Sequence, residues 1–196
     1  MSKQQLFKEE LIKKLYHDIF RIRWVEEEVM RLYPTDVIKS PVHLSIGQES
    51  ISVGVCDSLK KDDTVFGTYR GHALYLAKGG NLNAMMAELY GKLDGCCSGK
   101  GGSMHLIDPS VNMMGTSAVV ASSISEAVGY ALGIKYKDGN QIVVCFFGKD
   151  LRILLIKVFG TLLSITNKHL VNFIELPFSN FDNLVISPDP IKIGYL

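Results

Sequence analysis

The sequence has little of what would place a protein in a special class. Its 21 Lys and Arg nearly balance its 20 Asp and Glu, for a net charge of +1. A chain whose task is to hold a nucleic-acid backbone or an anionic membrane needs a basic excess, so neither partner is expected. The four cysteines, Cys56, Cys96, Cys97 and Cys145, form no C-x-x-C pair. Neither a zinc site nor a disulfide framework is therefore expected, and reduced thiols in a cytosol are the plain reading. No apolar run is long enough to span a bilayer. The first twenty residues are charged throughout, without the apolar core of a signal peptide, and their acidic residues count against a transit peptide. A bacterial cytoplasm is expected rather than a mitochondrial matrix. The nucleotide signatures G-x-x-x-x-G-K-[ST] and G-x-G-x-x-G are both missing, which argues against a nucleoside-triphosphate site. Alanine is missing from the last 46 residues, where Leu, Ile, Phe and Asn dominate.

What is present reads as a folded α/β domain. The chain has 196 residues, 47% hydrophobic and 21% charged, enough for one domain with a real core. Phe7, Leu11, Leu15, Ile19, Ile22, Val25, Val29 and Leu32 recur every three or four residues and predict one long helix closed by Pro34. Its polar face carries Glu26, Glu27 and Glu28, expected to be solvated. A second helix is expected within Ser45 to Leu59. The stretch from Asp62 to Gly80 reads as turn, short strand, loop and helix. Another helix is expected over Asn81 to Lys92, with Asn83 as its cap. A glycine-rich loop follows, then a helix ending near Gly139 and a β-branched, aromatic strand from Gln141 to Phe147. Strands alternating with helices predict an α/β fold with a mostly parallel sheet. With irregular sequence after Asp150, the sheet is expected to be incomplete at the C-terminal end, leaving an unpaired edge and an uncovered face.

Four stretches could carry chemistry. In TYRGHA, Thr68 to Ala73, the residues follow a short strand, where α/β sheets open their ligand crevice. Arg70 offers a planar fork of donors suited to phosphate, Tyr69 a hydroxyl, and His72 a proton donor or shuttle near neutral pH. The competing reading is a surface ion pair beside a half-buried tyrosine. SGKGGSMH, Ser98 to His105, is expected to let backbones approach closely. GTSAVVASSISEAVG opens a helix with small residues, either for a flat ligand or for tight packing on the sheet. FFGKD is a strand, glycine and acid step of the kind that suits Mg²⁺, except that Lys149 directly follows Gly148.

HLSIGQE (His43 to Glu49), TYRGHA, the AELYGK to GKGGSMH run and GTSAVVASSISEAVG, in this order and spacing, resemble the alpha subunit of the thiamine diphosphate-dependent 2-oxo acid dehydrogenases. These are the decarboxylating first components of the pyruvate, branched-chain 2-oxo acid and acetoin dehydrogenase complexes. The resemblance covers roughly residues 8 to 148. It implies a thiamine diphosphate-binding fold, loss of CO₂ from a 2-oxo acid, and acyl transfer to a lipoyl group on an acyltransferase component. It also implies a beta subunit, in a heterotetramer, that shares the cofactor and supplies the activating glutamate. Carried over by position, Tyr69 and Arg70 fall where the family binds diphosphate, and His72 falls on the histidine of that loop. Ala118 and Val120 fall where backbone groups meet the aminopyrimidine ring. Ser122 and Ser123 fall where some relatives place a potassium ion.

The resemblance also marks a departure. The family continues with Gly-Asp-Gly and, further on, Asn-Asn, whose Asp and first Asn ligate Mg²⁺. Here Lys149 stands at the Asp position, Asp150 comes one residue late, and the tail has no Asn-Asn pair. The implied organisation is an N-terminal helix over 1–35, a partial cofactor domain over 36–150 and a non-family tail over 151–196, with a frameshift near codon 149 as the expected origin. Cofactor and Mg²⁺ binding are expected to be impaired. An inactive remnant and a non-catalytic binding or assembly protein stand as alternatives to the working subunit. Which 2-oxo acid is taken stays open.

Overall fold

A computed structural model describes residues 3–147 and 183–186, with side chains from residue 8 to residue 147. In chain order its elements are α1 (Lys3–Leu32), α2 (Glu49–Ser58), β1 (Thr64–Thr68), α3 (His72–Ala77), α4 (Leu82–Leu89), β2 (Met113–Ser117), α5 (Ser122–Tyr136), β3 (Val143–Phe146) and β4 (Asn183–Ile186). The strands lie in the order β2-β1-β3-β4. β1 pairs in parallel with β2 and with β3. The helical connections make that possible, because a parallel pair needs a long crossover.

The β-period of two separates two cores. Val65 and Val144 point into a cluster with Ile22, Val25 and Val29 of α1, Val53 of α2 and Leu74 of α3. Phe66, Val143 and Cys145 point the other way, against Ile124, Ala127 and Ala131 of α5. Both faces of the parallel strands are thus covered by helices, and the expected uncovered face is corrected. The open edge expected after β3 lies one strand further out, at β4. Val143 to Phe146 pair antiparallel with Asn183 to Ile186, so β3 is not an edge strand. Four residues from the alanine-free tail therefore satisfy the outer backbone groups of β3.

α1 ends where Pro34 enters a short 3-10 turn, as its periodicity predicts. Its outer side holds a second apolar stripe at a spacing of four, Ile12, Tyr16, Phe20 and Trp24, all exposed. α2 begins later than the sequence suggests, at Glu49. That glutamate is buried and bound by Arg23, with Nε 2.6 Å from Oε1, and by the Gly47 N–H at 2.9 Å. α4 is capped by Asn81, not Asn83: the Asn81 side chain accepts from the Asn83 and Ala84 N–H groups. β2 is a strand the periodicity does not announce.

Glu49 gives a pH signature. Burial pushes its carboxyl up, but hydrogen bonds from Arg23, from its own N–H and from the Gly47 N–H, with the Arg23 charge, outweigh burial and hold it below the ordinary 4.5. A depressed carboxylate contributes stability above its unfolded value that is lost as pH falls through the folded value. Urea midpoints measured from pH 7 down through the acid range should fall in that window. Glu49→Gln should start lower at pH 7 and lose less on acidification. Parallel profiles for the two chains would show that this pair does not govern acid stability.

Candidate functional site

Parallel strands bring their following loops to one edge of the sheet. Thr68 pairs with Ser117, so Tyr69 and Arg70, leaving β1, lie beside Ala118 to Ala121, leaving β2. β3 also ends at this edge. The expected metal positions Lys149 and Asp150 lie outside the described residues.

Arg70 is exposed. Among the described residues its guanidinium pairs with no carboxylate. It lies 5.5 Å from the centroid of the Tyr69 ring. Tyr69 in turn packs against His43, with centroids 4.5 Å apart and planes tilted by 59°. The Nδ1 atom of His43 is buried and has no hydrogen-bond partner among the described residues. An unpaired buried polar atom costs about 1–3 kcal/mol, which a ligand can relieve. His43 stands in the HLSIGQE stretch, and sequence reasoning alone misses it as a site residue. The signal that finds it is spatial: twenty-six positions separate it from Tyr69.

The loop after β2 exposes Val119 and Val120 and leaves Ala118 partly covered. Ala121, before α5, has φ of 74°, a left-handed conformation that costs a residue with a Cβ about 1–2 kcal/mol. Strain of this kind is held only where the surroundings fix it. The Ser122 hydroxyl donates to the Val119 carbonyl at 3.0 Å, and the buried Ser123 hydroxyl donates to the Gly67 carbonyl at 2.6 Å. Ser123 thereby ties the first turn of α5 to β1. Gly71 is required behind Arg70, since a Cβ there would come within 2.7 Å of Thr116 Cγ2.

His72 is fully buried, so its ring does not reach solvent. Its Nε2 is 2.8 Å from Ser103 Oγ and its Nδ1 is 3.3 Å from Glu26 Oε2. Glu26 is buried as well, which corrects its expected place on a solvated face. Its other carboxylate oxygen accepts from the Ser45 N–H at 3.3 Å, and the Ser45 hydroxyl donates to the Arg70 carbonyl at 3.1 Å. One glutamate on α1 thus connects the loop of His43 to the loop of Tyr69 and Arg70.

The glycine-rich loop does cradle an anion, but the anion is its own. Glu88 of α4 is fully buried and accepts four backbone N–H groups. Cys97 and Gly99 donate to Oε2 at 2.8 and 2.9 Å, and Gly101 and Gly102 donate to Oε1 at 2.7 and 3.0 Å. The close approach expected of the loop is real: a Cβ on Gly101 would fall 2.1 Å from the His105 carbonyl oxygen.

No described helix is long and apolar enough to cross a membrane. The family model of the dehydrogenase E1 component matches residues 17–150. The chain is 42% identical over 134 residues to the alpha subunit of the acetoin:2,6-dichlorophenolindophenol oxidoreductase of Bacillus subtilis (strain 168), covering 68% of this chain and 40% of that one. It is 40% identical over 141 residues to the chloroplastic pyruvate dehydrogenase E1 component subunit alpha-3 of Arabidopsis thaliana, covering 69% and 33%. The chain thus spans well under half the length of these curated relatives. With more than half of its own residues matched by the model, the chain belongs to the dehydrogenase E1 component family, and the relatives it matches are alpha subunits.

Proposed function

We propose that this chain is the diphosphate-holding part of an alpha subunit that serves the oxidative decarboxylation of a 2-oxo acid and acyl transfer to a lipoyl group. The observation that carries this reading is the edge cluster: the exposed Arg70 guanidinium, the Tyr69 ring beside it and the unpartnered His43 nitrogen. A guanidinium fork, a phenol and an imidazole are a donor set that fits a diphosphate. Thiamine diphosphate, when bound, supplies the electron sink for loss of CO₂. Arg70 and Tyr69 would hold the diphosphate, and backbone groups at Ala118 and Val120 would meet the aminopyrimidine ring. His72 was expected to move a proton. Its burial and its two partners favour a positioning role, holding the Arg70 loop through Glu26. Ser122 and Ser123 spend their hydroxyl protons on carbonyls, so an oxygen lone pair is what either could offer potassium.

The proposal keeps the division at residues 35 and 150, with 151–196 as a non-family tail. A beta subunit, a lipoyl-bearing acyltransferase and a bacterial cytoplasm belong to the same reading. The exposed stripe of Ile12, Tyr16, Phe20 and Trp24 suits a face covered in an assembly. Lys149 favours a second reading, in which Mg²⁺ and cofactor are held poorly and the chain is a non-catalytic relative.

Calorimetric titration of thiamine diphosphate with Mg²⁺ into the full chain, paired with a beta subunit, tests both. Loss of hydrogen bonds to a charged group is worth about 1.5–3 kcal/mol. Arg70→Ala should therefore weaken saturable binding by about 10- to 100-fold, with an unchanged melting temperature. Arg70→Lys should fall between, because a point charge does not replace the fork. Equal affinity in Arg70→Ala would sink the assignment. No saturable binding by the unaltered chain would transfer the case to the second reading.

A further inference from the structure

Cys96 and Cys97 take no part in the cofactor reading, yet together with Glu88 they form a group of possible metal ligands. They are the two central residues of a turn closed by the Ser98 N–H donating to the Gly95 carbonyl at 2.9 Å. The turn brings both thiols together, with sulfurs 3.9 Å apart. Two further contacts hold them there. The Cys97 N–H is fixed on Glu88, and Cys97 Sγ accepts the Ile107 N–H at 3.1 Å. Both residues are partly exposed, whereas Cys145 is buried. Among the described residues neither Cys56 nor Cys145 stands in a comparable group of possible ligands.

A thiol pair can close into a disulfide or share a metal, and geometry separates the two. Adjacent Cα atoms are about 3.8 Å apart, below the 4.4–6.8 Å that disulfides usually span, so bridging this pair would distort the turn. Two thiolates at about 2.3 Å from one tetrahedral ion stand about 3.8 Å from each other. The observed separation matches the second requirement without any movement.

We propose that Cys96 and Cys97 form a two-thiolate chelate for a zinc-class, thiophilic divalent cation, with solvent filling the remaining coordination positions. The absence of C-x-x-C spacing had pointed away from zinc, but a turn places adjacent cysteines as that spacing does on longer loops. A Glu88 oxygen lies within 4.8 Å of both sulfurs. Its lone pairs are taken by four N–H groups, so it supplies negative charge to the site and not a ligand bond. The Cys97 thiol also donates to the His105 and Ile107 carbonyls at 3.2 and 3.5 Å, contacts that it gives up when its proton leaves. Binding exchanges two S–H bonds for two metal–sulfur bonds. Both protons leave to solvent and no electron is transferred.

The test is a Zn²⁺ titration of the reduced, metal-free full chain against a chromophoric chelator. The expected result is one ion per chain, with Cys96→Ser and Cys97→Ser each weakening binding at least tenfold and Cys56→Ser leaving it unchanged. Should a serine variant fold poorly, alkylation of the unaltered chain with peptide mapping decides: Zn²⁺ should protect Cys96 and Cys97 and leave the reactivity of Cys56 and Cys145 as it was. Three results would overturn the site: no saturable binding, undiminished binding in the double serine variant, or a Cys96–Cys97 disulfide in reductant-free protein that takes up no Zn²⁺ after reduction.

Discussion

Glu88→Ala is expected to abolish cooperative folding of this chain or to leave it barely folded. The carboxylate is fully buried and its two oxygens accept four of the six N–H groups between Cys97 and Gly102. Each N–H left buried and unpaired costs about 1–3 kcal/mol, so four cost about 4–12 kcal/mol if none finds water. Whole domains are stable by only about 5–15 kcal/mol. Part of the loop is exposed, and water reaching one or two of the donors moves the loss toward the lower figure. Glu88→Gln should be intermediate, because its single carbonyl oxygen can serve one pair of donors while its NH₂ faces the other. Urea unfolding followed by circular dichroism reads the series. A Glu88→Ala midpoint equal to that of the unaltered chain would show that the loop is ordered by other contacts.

Lys149→Asp is expected to produce the largest gain in Mg²⁺-dependent cofactor binding of any single change. The resemblance places a carboxylate ligand where this chain has Lys149, a residue outside the described ones. At about 4 Å and an effective dielectric near 20, a lysine charge beside a divalent ion is repelled by about 8 kcal/mol. A flexible lysine swings away and escapes much of that, so the observable gain is set at no less than about 100-fold, roughly 2.7 kcal/mol. The same calorimetric titration, with and without Mg²⁺, measures it. The aspartate should tighten binding only when Mg²⁺ is present, because its contribution passes through the metal. A gain independent of Mg²⁺, or no gain, would show that residue 149 does not face the ion. Combined with Arg70→Ala, the two effects should be separable, since one acts on the metal and the other on the diphosphate.

Much of the framework was legible from local pattern. The three- and four-residue spacing of Leu15, Ile19, Ile22, Val25 and Val29 gave α1 and its buried side, because a helix repeats its facing every turn. The β-branched and aromatic runs gave β1 and β3. β2, MMGTS, escapes local pattern: it has one β-branched residue and a central glycine, and it becomes a strand by pairing with β1. The cap of α4 was assigned two residues late, because Asn81 and Asn83 are equally good caps until the backbone shows which lies outside the helix.

The sequence by itself determined an α/β fold, its helix order and the family-like stretches that end β1 and begin α5. These depend on short-range periodicity and on residue types in fixed order, both carried along the chain. Only the tertiary structure decided which polar groups are buried and what they hold. Glu26 reads as solvent-facing in its own helix, yet it is buried against His72, 46 residues away. Glu88 reads as an ordinary helical acid, yet it anchors the glycine-rich loop from within. The tail, irregular in composition, still contributes four residues that pair with β3. Burial of a charge and closure of a sheet edge are both settled by what arrives from elsewhere in the chain, and no local pattern records that arrival.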